Sequence, residues 1–330
     1  MPVALLGLAI ASSVGASAST HGAYPVTLTN CGAGPVTFTH APTRVLSTAP
    51  NLTEDLLALG LAKRIVADFG GQLPVSGYAR RYHAVPNLPT TAFTPEAIVG
   101  QRPDFVFAGW GYGFETGTTL TPTTLATQGI KSLVLTGSCP NADTTGGQES
   151  GHSNNIDSTY QDLRNLGRIF NVPQRATAVI DAMKKQIATA RSKVAHQSPV
   201  SVFLYNNGQS APGTAAGLST PNGLITLAGG ANIFASLDQD YTTASWEQVI
   251  NDDPECIIIK NGTNAGNFGQ QEETFLKTSP LTATLTAVKN NCFLILNQDQ
   301  LTPGATNAQA VVAIAKWLHP KAFGLPADGS

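Results

Sequence analysis

The stretch that most constrains this chain lies near its middle, residues 174–195, QRATAVIDAMKKQIATARSKVA. It contains no Gly or Pro and is rich in Ala, Lys, Gln and Arg. Apolar residues recur along it at helical spacing: Ala176, Val179, Ile180, Met183, Ile187, Ala190 and Val194. Pro173 stands at its start, where a missing N–H costs little, and Ser198-Pro199 ends it. One long helix is predicted. Related sequence lies on each side of it, so the helix reads as a spine joining two lobes.

The relation is a repeat. Before the helix, Thr94 opens TPEAIVGQRPDFVF; after it, Ser245 opens SWEQVINDDPECII. Each unit has a capping residue, then Glu two residues on (Glu96, Glu247), then an amphipathic turn. Pro103 and Pro254 each stand nine residues after the cap, followed by an acid (Asp104, Glu255) and an apolar strand. A cap with acid in the first turn is helix-start chemistry, and Pro stops the helix before the strand. A weaker match pairs LLALGLAKRIV from Leu56 with LITLAGGANIF from Leu224. Two αβ units recurring in order indicate internal duplication.

Strands alternate with helices through the rest of the chain. A hairpin is predicted over residues 24–40 around Gly-Ala-Gly. NLTE at 51–54 has the pattern of a capping box and opens a helix through Leu61. Short strands are expected at 44–47, 65–68, 105–108, 130–135, 200–204, 256–260 and 292–296, and a terminal helix at 307–318. Residues 141–155 are polar, Gly- and Ser-rich, and read as a loop. The expected fold is α/β: two Rossmann-like lobes with parallel sheets, a ligand cleft between them and one connecting helix. The expected divisions are an N-terminal lobe over 22–172, the connecting helix over 173–196 and a C-terminal lobe over 197–330.

Composition bears on compartment. Only 12% of residues are charged and the formal net charge is −2, so nothing favours a polyanion and no nucleic-acid partner is expected. Residues 3–14 form an apolar run before Ala16-Ser17-Ala18, a small-residue cleavage pattern. No basic residue precedes the run. A signal peptide over residues 1–20 is the expectation, with a buried N-terminal strand or helix as the competing reading. The four cysteines then fit two disulfides. Cys256–Cys292 is favoured, because each begins an apolar strand in the same half and adjacent parallel strands would bring them together. Cys31–Cys139 falls within the other half. A lipidated Cys31 is disfavoured, because Leu28-Thr29-Asn30 lacks the small residue wanted before it.

Ligands of open α/β sheets bind beyond the carboxyl ends of the strands. The candidate lining is therefore Thr48, Asn51, Phe69, Gly70, Trp110, Tyr112, Tyr205, Asn206 and Lys260, with Tyr241 as a further phenol. This aromatic and amide-rich set suits a mid-sized polar organic ligand. The glycines flanking Trp110 would let such a ligand approach the backbone. H-E-x-x-H, G-x-S-x-G and P-loop patterns are absent, and the six histidines are scattered. No enzyme, metal site or cofactor is expected.

With these residues in view, the chain resembles the helical-spine substrate-binding proteins of ABC importers, the group serving ferric siderophores, haem and cobalamin. The resemblance is carried by RVLSTAPNLTEDLLALGLAKRIVA (44–67), TPEAIVGQRPDFVFAGW (94–110), YQDLRNLGRIFNVPQRA (160–176) and SWEQVINDDPECIII. YPVTLTNCG and GWGYGF are similar to siderophore-type members. The resemblance implies an exported receptor of the cell envelope or extracellular space, soluble or membrane-associated and monomeric. It would capture an iron–siderophore complex and deliver it to a membrane permease. It also implies one acid on top of each lobe that pairs with permease arginines, here Glu54 and Glu247. Cobalamin fits the same lining; haem would want an axial group such as Tyr112, Tyr205 or Tyr241. An exported bilobed metal-dependent enzyme is the alternative from another class, and it would need acids or histidines clustered at strand ends.

Overall fold

The computed structural model describes residues 24–31, 34–69, 78–82, 84–88, 94–115, 120–139, 156–262 and 267–326. Residues 1–20, Gly70 and the 141–155 segment lie outside this set.

The chain enters as an antiparallel hairpin, β1 (Val26–Asn30) and β2 (Gly34–Phe38). Then follow β3 (Val45–Ser47), α1 (Pro50–Ala58), β4 (Ile65–Asp68), α2 (Ala79–Tyr82), α3 (Pro95–Gly100) and β5 (Phe105–Trp110). The short β6 (Gly113–Phe114) pairs with the end of β5, and α4 (Pro122–Thr127), β7 (Lys131–Val134) and α5 (Ile156–Ile169) complete the lobe. Its sheet is parallel, in the order β4-β3-β5-β7. The spine is α6 (Pro173–Val194), one residue offset from the expected span. Beyond it come β8 (Val200–Tyr205), β9 (Gly213–Ala215), α7 (Thr220–Leu227), β10 (Gly230–Asn232), β11 (Tyr241–Thr243), α8 (Trp246–Asp252) and β12 (Cys256–Asn261). The lobe ends with α9 (Phe268–Thr278), α10 (Thr286–Lys289), β13 (Phe293–Asn297), α11 (Gln298–Leu301) and α12 (Asn307–Leu318). The second parallel sheet runs β10-β8-β12-β13, and β9 and β11 form a separate antiparallel pair.

The two sheets share one topology: the second strand of each lobe, then its first, third and fourth. The strong repeat is α3–β5 and α8–β12, which supplies the third strand of each sheet. The weak one is α1–β4 and α7–β10, which supplies the second. The repeat extends to side-chain chemistry. Thr94 and Ser245 cap their helices, accepting from the Ala97 and Gln248 N–H groups at 3.1 Å each. Asp104 accepts from the Thr43 and Arg44 N–H groups at 2.8 Å, and Glu255 accepts from the Ser201 N–H at 2.8 Å. Each acid thus ties the start of a third strand to the start of its lobe's first strand.

Strand alternation sets three cores. Phe105 and Phe107 of β5, and Val202, Leu204 and Ile258 of β8 and β12, face a continuous core that includes Ala176, Ile180, Met183, Ile187 and Ala190 of the spine. The spine packs on α5 of one lobe and α12 of the other, so one apolar body binds both lobes. Burial of Ile180, Met183 and Ile187 contributes about 1.5–3 kcal/mol each. Val106 and Ala108 face a separate N-terminal cluster, and Phe203, Tyr205, Ile257 and Ile259 a C-terminal one.

Disulfides join Cys31 to Cys139, with Cα atoms 5.7 Å apart, and Cys256 to Cys292, 4.8 Å apart. Cys256 opens β12 and Cys292 directly precedes β13, its parallel neighbour. The helix at NLTE departs from its expected form. It starts at Pro50 with Ala49 as cap, makes no side-chain cap bond and stops at Ala58, and Gly60 turns the chain at φ +73°. No helix among the described residues is long and apolar enough to cross a membrane.

Candidate functional site

The strand ends of the N-terminal lobe present the 109–114 turn. Gly109 and Tyr112 exchange backbone hydrogen bonds of 3.1 and 2.9 Å, and the Thr48 hydroxyl donates to the Tyr112 carbonyl. The glycines serve this turn. A Cβ on Gly113, whose φ is +112°, would lie 2.7 Å from the Thr48 Cβ; one on Gly109 would lie 2.7 Å from the Ser138 Oγ. The space beside Gly109 is filled by Ser138 and that beside Gly113 by Thr48.

The turn places Tyr112 against the other lobe. There β11, pairing Tyr241 with Ala215 of β9, presents Asp240 and Tyr241. Burial pushes the Tyr112 hydroxyl up, and the Asp240 carboxylate adds to the effect. Tyr241 is pushed up by burial, then by Tyr112 and Asp240. Tyr112 of one lobe and Asp240 and Tyr241 of the other thus lie near enough to influence one another electrostatically, and Tyr241 is 39% exposed. Asp240 escaped the sequence reading, because SLDQDYTTAS has neither periodicity nor motif to mark it.

Trp110 and Asn206 each bury a polar atom that has no hydrogen-bond partner among the described residues. The Trp110 ring packs beside Phe114, with centroids 5.9 Å apart, while its buried Nε1 has no acceptor among the described residues. Asn206 donates its N–H to the Gly213 carbonyl at 2.9 Å, but its buried Oδ1 has no donor among them. An unsatisfied buried atom costs about 1–3 kcal/mol, which a complementary ligand group would recover. Lys260 is half-buried, loss of hydration lowers its pKa, and no carboxylate among the described residues pairs with it. No three His, Cys, Asp or Glu side chains among the described residues are grouped to hold a metal.

Four expected site residues face elsewhere. Asn51, 2% exposed, donates its Nδ2 to the Pro303 carbonyl at 2.7 Å and so joins lobe to lobe. Phe69 belongs to the N-terminal core. Tyr205 lies on the Phe203 face of β8, stacked on Phe275, and donates to Glu272 Oε2 at 2.7 Å. Glu54 is fully buried, because every residue of α1 from Pro50 to Leu57 is packed in the interior. A permease cannot reach it there. The exposed counterpart of Glu247 is Glu96, at the same place in the repeat. Tyr205→Phe should leave ligand affinity unchanged and cost about 1–3 kcal/mol of stability, since Glu272 loses its donor. Paired titration and melting curves check this; weakened binding would return Tyr205 to the site.

The model for the family described as periplasmic binding protein matches residues 45–299. The chain belongs to the periplasmic binding protein family. Among relatives of this periplasmic binding protein, the vitamin B12-binding protein of Yersinia pestis (strain Pestoides F) is 27% identical over 230 residues, covering 68% of this chain and 71% of that one. A solved periplasmic binding protein from Veillonella parvula dsm 2008 superposes with a TM-score of 0.76 at 23% identity, covering 89% of this chain and 97% of its own. The structure described as an ABC-type Fe3+-hydroxamate transport system from Saccharomonospora viridis DSM 43017 gives 0.73 at 22% identity, covering 91% and 99%. The structural similarities establish the bilobed fold of this family member. Proteins of this family are exported, bind small molecules and work with ABC permeases.

Proposed function

We propose that this periplasmic binding protein captures a ferric siderophore between its lobes and delivers it to an ABC permease. What supports the reading is that Tyr112 of one lobe and Asp240 and Tyr241 of the other, at the start of β11, lie near enough to interact electrostatically. Phenols, the Trp110 indole and the Asn206 amide suit stacking and neutral hydrogen bonding. A strongly anionic chelate would want several Arg or Lys groups; among the described residues, Lys260 is a half-buried cation near a strand end. A ferric hydroxamate of low net charge fits best, and the Saccharomonospora viridis structure is described in those terms. Cobalamin is the second reading, favoured by the name of the Yersinia relative.

Delivery would use Glu96 and Glu247, exposed in the first turns of α3 and α8. The single-helix spine and the shared core resist hinge bending, so closure on the ligand is expected to be small.

Tryptophan fluorescence provides the test. Trp246 is buried with its Nε1 bonded to the Gln209 carbonyl at 2.8 Å, and Trp317 packs against the shared core, which leaves Trp110 as the reporter. Ferric hydroxamates should quench saturably, and Trp110→Phe should remove most of the change. Saturation by cobalamin alone would establish the second reading, and silence towards ferric hydroxamates, ferric catecholates, haem and cobalamin would overturn both.

A further inference from the structure

The two disulfides stand at opposite ends of the sheets they serve. Cys256 opens β12 and Cys292 directly precedes β13, so that bridge lies at the amino ends of its strands. Cys139 follows the helical turn Thr136–Ser138, which leaves the carboxyl end of β7. β7 is the parallel neighbour of β5, whose last residue is Trp110. The Cys31–Cys139 bridge therefore lies at the end of its sheet where a ligand of an open α/β fold binds.

Ser138, the residue before Cys139, holds Trp110. Its Oγ accepts from the Trp110 N–H at 3.0 Å and donates to the Leu135 carbonyl at 2.8 Å. A Cβ on Gly109 would lie 2.7 Å from that oxygen and 2.8 Å from the Leu135 Cβ, so β5 and the turn are in close contact. Cys31, Cys139 and Trp110 all pack against the same N-terminal cluster. Both ends of the turn are anchored. At Thr136, the N–H and the hydroxyl donate to Asp162 of α5 at 3.0 and 2.6 Å. At Cys139 the anchor is the bridge, and the chain at its far end is itself fixed. Asn30, 3% exposed, donates its Nδ2 to the Ser132 carbonyl at 3.0 Å and accepts from the Val134 N–H at 2.7 Å. Its amide thus clamps the end of β1 onto β7, one residue before Cys31.

We propose that Cys31, Cys139 and Ser138 are positioning residues for ligand binding. The bridge fixes the turn, and the turn fixes the backbone that presents the Trp110 indole. This rests on the reading that Trp110 lines the ligand cleft. Ordering a contact group before binding raises affinity, because the ligand no longer meets the cost of ordering it. The Cys256–Cys292 bridge holds strand starts and serves stability alone.

Both bridges constrain the unfolded chain, across 108 and 36 residues, so removing either should lower the melting temperature, the first more. Melting therefore does not separate the roles; affinity and the surroundings of Trp110 do. The variant Cys31→Ser with Cys139→Ser is measured well below its melting temperature. Its affinity for a ferric hydroxamate should fall about tenfold. Acrylamide quenching of Trp110 in the ligand-free protein should rise, read as the difference from the same protein carrying Trp110→Phe. The variant Cys256→Ser with Cys292→Ser should change neither. Ser138→Ala keeps the bridge and removes the acceptor; it should move both readouts in the same direction, and it decides the matter should the first cysteine variant not fold. Unchanged quenching overturns the positioning role whatever the ligand, as does raised quenching with unchanged hydroxamate affinity, or an equal loss of affinity from removing either bridge. Raised quenching in a protein whose wild type binds no ferric hydroxamate upholds the hold on Trp110 and overturns the ligand reading instead.

Discussion

Reversing Glu96 and Glu247 together to Lys should abolish uptake of the ligand by cells while leaving the affinity of the purified protein unchanged. Both carboxylates are exposed in the first turn of a capped helix, and the repeat puts them at matching places on the two lobes. Opposite charges on a permease would be met by repulsion at both contacts. Losing a close charge pair at an interface costs about 2–5 kcal/mol, a factor of roughly 30 to several thousand. The fold loses far less: an acid in a helix's first turn contributes about 0.3–1 kcal/mol. Uptake of iron-labelled chelate, measured beside fluorescence titration of the same variant, separates the two effects, and undiminished uptake would remove both glutamates from docking. Glu54→Lys makes an instructive contrast. It would bury a cation in the interior of α1 and should lower the yield of folded protein instead of blocking delivery alone.

Removing both phenols, Tyr112→Ala with Tyr241→Ala, should weaken ligand binding by more than tenfold but less than the roughly 100-fold that two independent rings would give. Each aromatic ring lost from a contact of this kind is worth roughly 1.4 kcal/mol, or tenfold. The two residues stand on different lobes, so a ligand touching both couples them, and a double-mutant cycle should show less than additive loss. Phe at either position should retain most of the affinity, since the ring supplies the stacking. Equal affinity in wild type and the double Ala variant would place the ligand elsewhere.

The sequence was most informative where its signals are local. The spine helix was legible from its uninterrupted helical periodicity, and its ends shifted by one residue. The duplication was legible from cap, acid and Pro spacing, and Cys256–Cys292 from two strands of one lobe each starting at a cysteine. Local signals also misled. NLTE carries the letters of a capping box, yet Asn51 spends its amide on Pro303 across the interface. GWGYGF suggested an open backbone, and at two of its glycines, Gly109 and Gly113, the room is taken by Ser138 and Thr48. Tyr205 ends a strand as a ligand contact would, but the two-residue alternation turns it onto Phe203's side, away from the shared core.

What the sequence by itself determined is the set of elements, their order and their pairing into two similar halves, because helix and strand periodicities are properties of neighbouring residues. Tertiary structure alone decided which side chains line the cleft and which are sealed beneath it. The Asp55–Ala305 bond spans 250 residues, and Tyr241 stands opposite Ala215 only because β9 and β11 pair. Glu54 and Glu96 are both acids near the start of a helix. One is buried and one exposed because burial is set by what packs on a helix from far along the chain, and no local pattern encodes that.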